Sequence, residues 1–466
     1  MISALRYAVP GLLLLFFVVR SFRQRVFLLG IPFLMYMDNS VFFEKAKPFW
    51  IPSRLSPSDH VLLWLVITWV VYFDLLLPSF RRSEPRPRLF GPALSSPEEI
   101  VLVGLAAFAV VEVGLTALRF SAVTSALGQA KGFMYLFVGY LLLRGMLCRA
   151  SREDTLDFVK ALVVVNTIAA ALFVVHQGLH RTIYLAVEYQ TVVFMGQRLT
   201  RSFYFMPQLL TLALAYVFAR RTWTVFWVGV LIVTLGALWV SYTRSLLVIA
   251  VAVFLTSLAV RLFKARQAHI AVRRAVTMLV LAAVLLGAAF VFLPVQSRYL
   301  VSRIVTATSS GSLASDPNLQ NRQNKLRNVY AWIGPESHAL GQGFATPAQD
   351  PPGANIPTMS SDLVWVPVLY RFGLLGVLVL MLLYATAGWR ALRMSVSGDG
   401  EAEFLALILL GLIVGTFLES FVSWTFLNPV RYPMGLWVFA LLAAEACRRR
   451  AESAAPAPPL EKPLDA

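Results

Sequence analysis

The sequence predicts an all-α, polytopic transmembrane bundle of about 12–14 spans with a large outward loop that contains short helices. Three observations carry this expectation. Of 466 residues, 58% are hydrophobic and the mean hydropathy is +0.70, more apolar than a soluble core requires. Apolar runs of about 20 residues, the length that crosses a bilayer, recur along the chain. The net charge of +17 gathers in short connections between those runs, where basic residues fix topology and meet anionic headgroups. In so apolar a chain that accounts for the charge, and no nucleic-acid partner is expected.

Taken in order, apolar runs bounded by charge, proline or glycine place spans near 4–19, 26–42, 60–79, 98–118, 125–145, 155–177, 203–219, 223–241, 245–262, 275–294, 362–388, 403–423 and 431–447. The first follows Arg6 and has no small-residue cleavage site before "RSFRQR", so it reads as a retained helix. The basic clusters "RSFRQR", "RRSEPRPR", "RGMLCRASR", "ARR", "RLFKARQAHIAVRR", "WRALR" and "CRRR" fall on alternate connections, which assigns them to the cytoplasm. The polar stretch Pro294–Ser361 must then face outward. The Pro/Ala-rich end, "AESAAPAPPLEKPLDA", is expected to be disordered. The chain thus divides into N-terminal helices 1–197, a core 198–388 that includes the outward loop 295–361, C-terminal helices 389–447 and a tail 448–466.

Two cysteines occur, Cys148 and Cys447, both at helix ends beside arginine, and no disulfide is expected between them. The histidines do not cluster, and the outward carboxylates Asp316, Glu336, Asp350 and Asp362 lack paired spacing, so no metal or other cofactor is expected. There is no Walker-type loop, G-x-S-x-G or dinucleotide fingerprint, which removes support for ATP-driven transport and serine hydrolysis.

Basic residues bunch on the outward side, where topology disfavours them. Arg244, in "LGALWVSYTRSLLVIAVAV", sits at a boundary inside apolar sequence. It is either a snorkelling helix-end arginine or an anion anchor gripping phosphate through two parallel hydrogen bonds. In "NRQNKLRNVYAWIG", Leu326, Val329, Tyr330 and Ile333 form an apolar stripe, with Arg322 on the same stripe and Lys325 and Arg327 beside it. "MGQRLTRSFYFMPQ" adds Arg198 and Arg201, with aromatic residues that suit an interfacial belt. His338, in "ESHALGQG", reads first as a loop residue. Arg371, in "LYRFGLLG", lies within a span and needs a partner that the sequence does not name.

From about Arg198 to Gly376 the order of "RLTRSFYFMPQ", "SYTRS", "RQNKLRNVYAWIGPESHALGQGF" and "SDLVWVPVLYRFGLLGVL" resembles the O-antigen ligase and polymerase family, the Wzy-like polysaccharide membrane proteins. The resemblance implies a GT-C-like architecture, similar to the SEDS peptidoglycan polymerases, in a bacterial inner membrane with its active site facing the periplasm. It implies transfer of glycan from an undecaprenyl-diphosphate donor to a hydroxyl, without nucleotide sugar or metal. The acceptor would be another lipid-linked repeat unit in a polymerase or lipid A core in a ligase, and a chain-length regulator is a possible partner. Arg244 matches the family's Thr/Ser-Arg position and Arg322 its large-loop arginine. Arg198, Arg201, Lys325, Arg327 and His338 would complete the diphosphate and substrate contacts. Fixed guanidinium groups would stabilise the charge growing on the leaving diphosphate.

One departure matters. Ligases carry His-Asn where this chain has Ser361 and Asp362. Asp362 is then either the general base or a helix N-cap, or both. The expectation is a polymerase, with a ligase as the alternative. A transporter of lipid-linked glycans would use the same arginines without chemistry, but broken helices and repeated halves are not visible in the sequence.

Overall fold

A computed structural model describes residues 66, 96–120, 123–148, 150–179, 189–202, 207–241, 243–264, 268–309, 317–344, 364–421 and 436–454. The spans expected at 4–19, 26–42 and 60–79 lie outside the described residues, apart from Val66. The other ten expected spans each coincide with a helix: α1 (Pro97–Phe120), α2 (Val123–Leu147), α3 (Arg152–Leu179), α4 (Pro207–Ala219), α5 (Val225–Val240), α6 (Arg244–Phe263), α7 (Ala268–Phe292), α10 (Trp365–Ser397), α11 (Gly400–Ser420) and α12 (Trp437–Ala454). Six of them, α1, α3, α6, α7, α10 and α11, are long and apolar enough to cross a membrane. The polar stretch 295–361 contains helices, as expected: α8 (Pro294–Ser309), which the sequence reading did not single out, and α9 (Pro317–Ile333), which carries the expected apolar stripe. An antiparallel hairpin of β1 (Tyr189–Phe194) and β2 (Gln197–Ser202) was not expected; Met195 and Gly196 turn it with positive φ.

Local chemistry sets the boundaries. Ser96 and Glu99 form a reciprocal capping box at α1, where the Ser96 N–H donates to Glu99 Oε2 (3.2 Å) and the Glu99 N–H to Ser96 Oγ (3.4 Å). Ser151 and Asp154 start α3 in a similar way. At the end of α4, the carbonyls of Phe218 and Ala219 accept from Arg274 and Arg261, both buried, while Trp223 Nε1 donates to Val217 O at 2.9 Å. These cations occupy the carbonyl end of the helix, where its dipole favours them.

The core centres on α4 and α11. Gly411 and Gly415 face Ala215 and Thr211, and an added Cβ would lie 2.9 Å and 2.2 Å from those side chains, so the two backbones approach as only small residues permit. The periphery includes α7, which carries exposed Val276, Leu279, Val280 and Val284.

Contacts between elements define two ends of the bundle. At one, which we call the basic end, Glu98 holds Arg390 (2.6 Å), Glu99 holds Arg144, Glu403 holds Arg221 (3.0 Å) and Lys264 (3.2 Å), and Glu445 holds Arg152 (3.0 Å) and Arg449 (3.0 Å). The other is the hairpin end. There Arg119 meets Gly341, Arg244 meets Arg303, and Val364 N–H donates to Ser420 O at 3.1 Å. This division agrees with the alternation of basic connections in the sequence. The tail expectation is corrected in part, because α12 runs on through 448–454, where Arg449 also donates to the carbonyls of Met394 (3.1 Å) and Ala402 (3.0 Å).

Candidate functional site

The hairpin end is organised by a break in α10. Its first two turns, Trp365 to Phe372, are buried, and at Gly373 the backbone leaves helical geometry (φ 59°, ψ −159°). A break strands carbonyls before it and N–H groups after it, which a buried segment must satisfy elsewhere. The loop 338–343 does so. Gln342 and Gly343 N–H groups donate to Tyr370 O (2.8 Å) and Arg371 O (3.0 Å), while Leu374 and Leu375 N–H groups donate to His338 O (2.8 Å) and Ala339 O (3.1 Å). Glycine is required at this crossing: Gly341 and Gly373 have positive φ, and an added Cβ on either would come within 2.6 Å of the other segment's backbone.

Arg371 stands in the break. Its guanidinium is 5.1 Å from the Phe133 ring centroid and 5.4 Å from that of Phe344, within a cluster completed by Phe372 and Phe108. The partner that the sequence did not name therefore includes two aromatic faces.

One face of α1 clamps the same loop. Thr116 Oγ1 accepts from Phe344 N–H (2.8 Å) and donates to Glu112 O (2.7 Å), and Arg119 Nη1 donates to Gly341 O (3.1 Å). Beneath Gly343 lies the Glu112 carboxylate, 0% exposed, with neither oxygen hydrogen-bonded among the described residues. Sequence reasoning missed Glu112. A carboxylate inside the apolar run "FAVVEVGLTAL" was the available signal.

Arg244 opens α6. A cation at a helix N-terminus opposes the dipole, so helix stability does not ask for it there. Its Nη1 donates to Arg303 O on α8 at 2.8 Å, and Arg303 itself lies 5.9 Å from the Tyr299 ring. Tyr299 and Leu300 pack with Leu199 of β2, and Tyr299 meets Phe194 of β1 edge-on at 5.2 Å. Strand β2 carries Arg198, paired with Val193, and Arg201, paired with Gln190. The structure thus brings Arg244, Arg303 and the Arg198/Arg201 strand into one neighbourhood.

The helix with Arg322, Lys325 and Arg327 packs elsewhere. Leu326, Val329 and Ile333 of α9 pack on Val366, Leu369 and Tyr370 of α10, and Trp332 stacks on Tyr370 at 5.1 Å. The apolar stripe rests on the bundle, and Tyr330 is not part of that contact. Arg322 and Lys325 are half-buried and Arg327 is exposed. Tyr330 stacks on His338 at 4.0 Å, and His338 Nε2 lies 2.9 Å from Tyr330 O. This pins the loop to α9 and gives His338 a positioning role that the sequence did not suggest. Asp362 and the neighbouring Ser361 lie outside the described residues, as do the belt aromatics Phe203, Tyr204 and Phe205.

No protein-family model matches the chain, and no characterised protein matches it. The function therefore has to be argued from the residues and geometry of the hairpin end.

Proposed function

We propose that the chain is an inner-membrane glycosyltransferase of GT-C-like architecture. It transfers glycan from an undecaprenyl-diphosphate-linked donor to a hydroxyl of a lipid-linked acceptor repeat unit, with the hairpin end facing the periplasm. The observation that carries the reading is Arg244, set against the dipole of α6 beside α8 and next to the strand with Arg198 and Arg201. A diphosphate leaving group needs fixed, always-charged donors at a membrane boundary, and guanidinium groups supply them. Arg322 and Lys325, on a helix packed against α10 at the same end, add charge to that end apart from the Arg244 neighbourhood. In this reading Asp362 takes the acceptor's proton as the sugar transfers. A ligase would differ in using lipid A core as acceptor.

The test is transfer by purified protein, with EDTA present and a synthetic undecaprenyl-diphosphate oligosaccharide as donor and acceptor. Elongated product is expected, and Asp362→Asn should slow it by about 10²- to 10⁴-fold, the usual worth of a general base. Parental turnover in Asp362→Asn would refute the base assignment.

A second reading, a transporter of lipid-linked glycans, gains from two observations: α10 is broken at Gly373, and Glu112 is a buried carboxylate inside a span. Discontinuous helices and intramembrane ionisable groups are recurrent parts of transport sites. Translocation of the labelled lipid in proteoliposomes, without elongation, would favour it.

A further inference from the structure

We infer that Cys148 and Cys447, the only two cysteines of the chain, form a dithiol site that two-electron oxidants convert to a disulfide joining α2 to α12. The sequence placed them at separate helix ends and gave no reason to pair them. In the structure α2 and α12 pack together, and Cys148, four residues after Arg144, lies on the face of α2 from which Arg144 reaches Cys447 of α12. Arg144 is adjacent to both positions. Its carbonyl accepts the Cys148 N–H at 2.9 Å, one turn along α2, and its Nη2 lies 3.9 Å from Cys447 Sγ. Both cysteines are free and half-buried, so a small oxidant can reach them while bulk solvent is largely held off.

The surroundings suit the chemistry. Arg144 is held through Nε by Glu99, which leaves Nη2 directed at the Cys447 sulfur. A guanidinium beside a thiol favours the thiolate, the form that attacks an oxidant, and this makes Cys447 the attacking sulfur. Cys148 follows as the resolving thiol. With hydrogen peroxide, the Cys447 sulfur attacks one peroxide oxygen, the O–O bond breaks, and the departing oxygen leaves as water with the thiol proton. The Cys148 sulfur then attacks the sulfenic sulfur, the S–S bond forms, and the hydroxyl departs as a second water with the second proton. Two electrons pass from the thiols to the peroxide.

The pair belongs to the basic end, which the positive-inside rule assigns to a reducing compartment, so the dithiol is the resting form there. Oxidation would tie α12, which also bonds α4 through Trp437 Nε1 to Gln208 Oε1 (3.2 Å), covalently to α2. The inference does not depend on the proposed glycan chemistry.

The experiment uses the full chain in detergent, graded hydrogen peroxide, and a polyethylene-glycol maleimide added after unfolding in SDS. Reduced protein should carry two labels and oxidised protein none, with the chain still monomeric on a non-reducing gel. Digestion should then release a Cys148–Cys447 cross-linked peptide, and dithiothreitol should restore both labels. At the dose that empties the parental protein, Cys447→Ser should keep its Cys148 label. Two persisting labels would show that the cysteines are simply small packing residues. A covalent dimer, or label loss without the cross-linked peptide, would likewise overturn the site. Equal label loss in Cys447→Ser would overturn the assignment of Cys447 as the attacking sulfur.

Discussion

At the scale of single residues, the hairpin end contains side chains that stability alone does not explain. Arg244 opposes a helix dipole, Arg371 is 3% exposed, and Glu112 is 0% exposed with no hydrogen bond to its carboxylate among the described residues. If Arg244 and Arg322 grip diphosphate through paired N–H groups, lysine cannot replace them. Arg244→Lys and Arg322→Lys should then lose most transfer while the protein accumulates normally, and near-full activity in both would show that charge alone suffices. For Glu112, burying a carboxylate that has no hydrogen bond among the described residues costs stability, which the charge of Arg119 offsets only in part, so its presence points to use. Glu112→Gln should be at least as resistant to thermal unfolding as the parent yet lose activity. A fully active glutamine variant would leave the carboxylate without a role. His338 is the opposite case. Its stacking on Tyr330 and the Nε2 contact account for it structurally, so His338→Phe should keep the stack and most activity, whereas a substrate ligand would tolerate no phenyl group.

At the scale of elements, the crossing of the 338–343 loop with the broken start of α10 is the part least legible in the sequence. "ALGQGF" and "LYRFGLLG" both stood out as strings, but nothing local says that one supplies the hydrogen bonds the other lacks. That is long-range pairing, and periodicity reports only local geometry. The break also escaped notice because Gly373 sits in an otherwise helical apolar run, where a glycine is ordinarily tolerated. The hairpin was missed for a related reason: its strands are short and mixed in polarity, and "MG" is a weak turn signal. The helices themselves were legible, since runs of apolar residues between basic clusters need no tertiary information. The crossing makes a sharp prediction. Gly343 has φ +70° and a Cβ there would lie 2.0 Å from Thr116 Oγ1. Positive φ alone costs a non-glycine residue about 1–2 kcal/mol, and the clash adds to it. Gly343→Ala should therefore lower the thermal midpoint clearly, and Gly343→Ala with Thr116→Ala should recover part of the loss. Equal midpoints for parent and Gly343→Ala would mean that the loop does not dock as described.

At the scale of the whole molecule, the proposed function depends on which end faces which compartment. At the basic end Glu98, Glu99, Glu403 and Glu445 hold basic side chains in ion pairs, while Arg261 and Arg274 donate to carbonyls. Contacts described for the hairpin-end arginines run to carbonyls and rings. The alternation of basic connections supports the proposed orientation, with Met195 at the hairpin turn outside and Thr222, between α4 and α5, inside. Both positions are exposed. Met195→Cys and Thr222→Cys, each placed in a Cys148→Ser, Cys447→Ser chain, report the two ends without interference from the native thiols. In cells whose outer membrane has been permeabilised, a membrane-impermeant maleimide should label Met195→Cys within minutes and reach Thr222→Cys only after the inner membrane is opened. The reverse order would place the hairpin end in the cytoplasm, where undecaprenyl-diphosphate glycans are made and not transferred, and the proposed function would fall with the orientation.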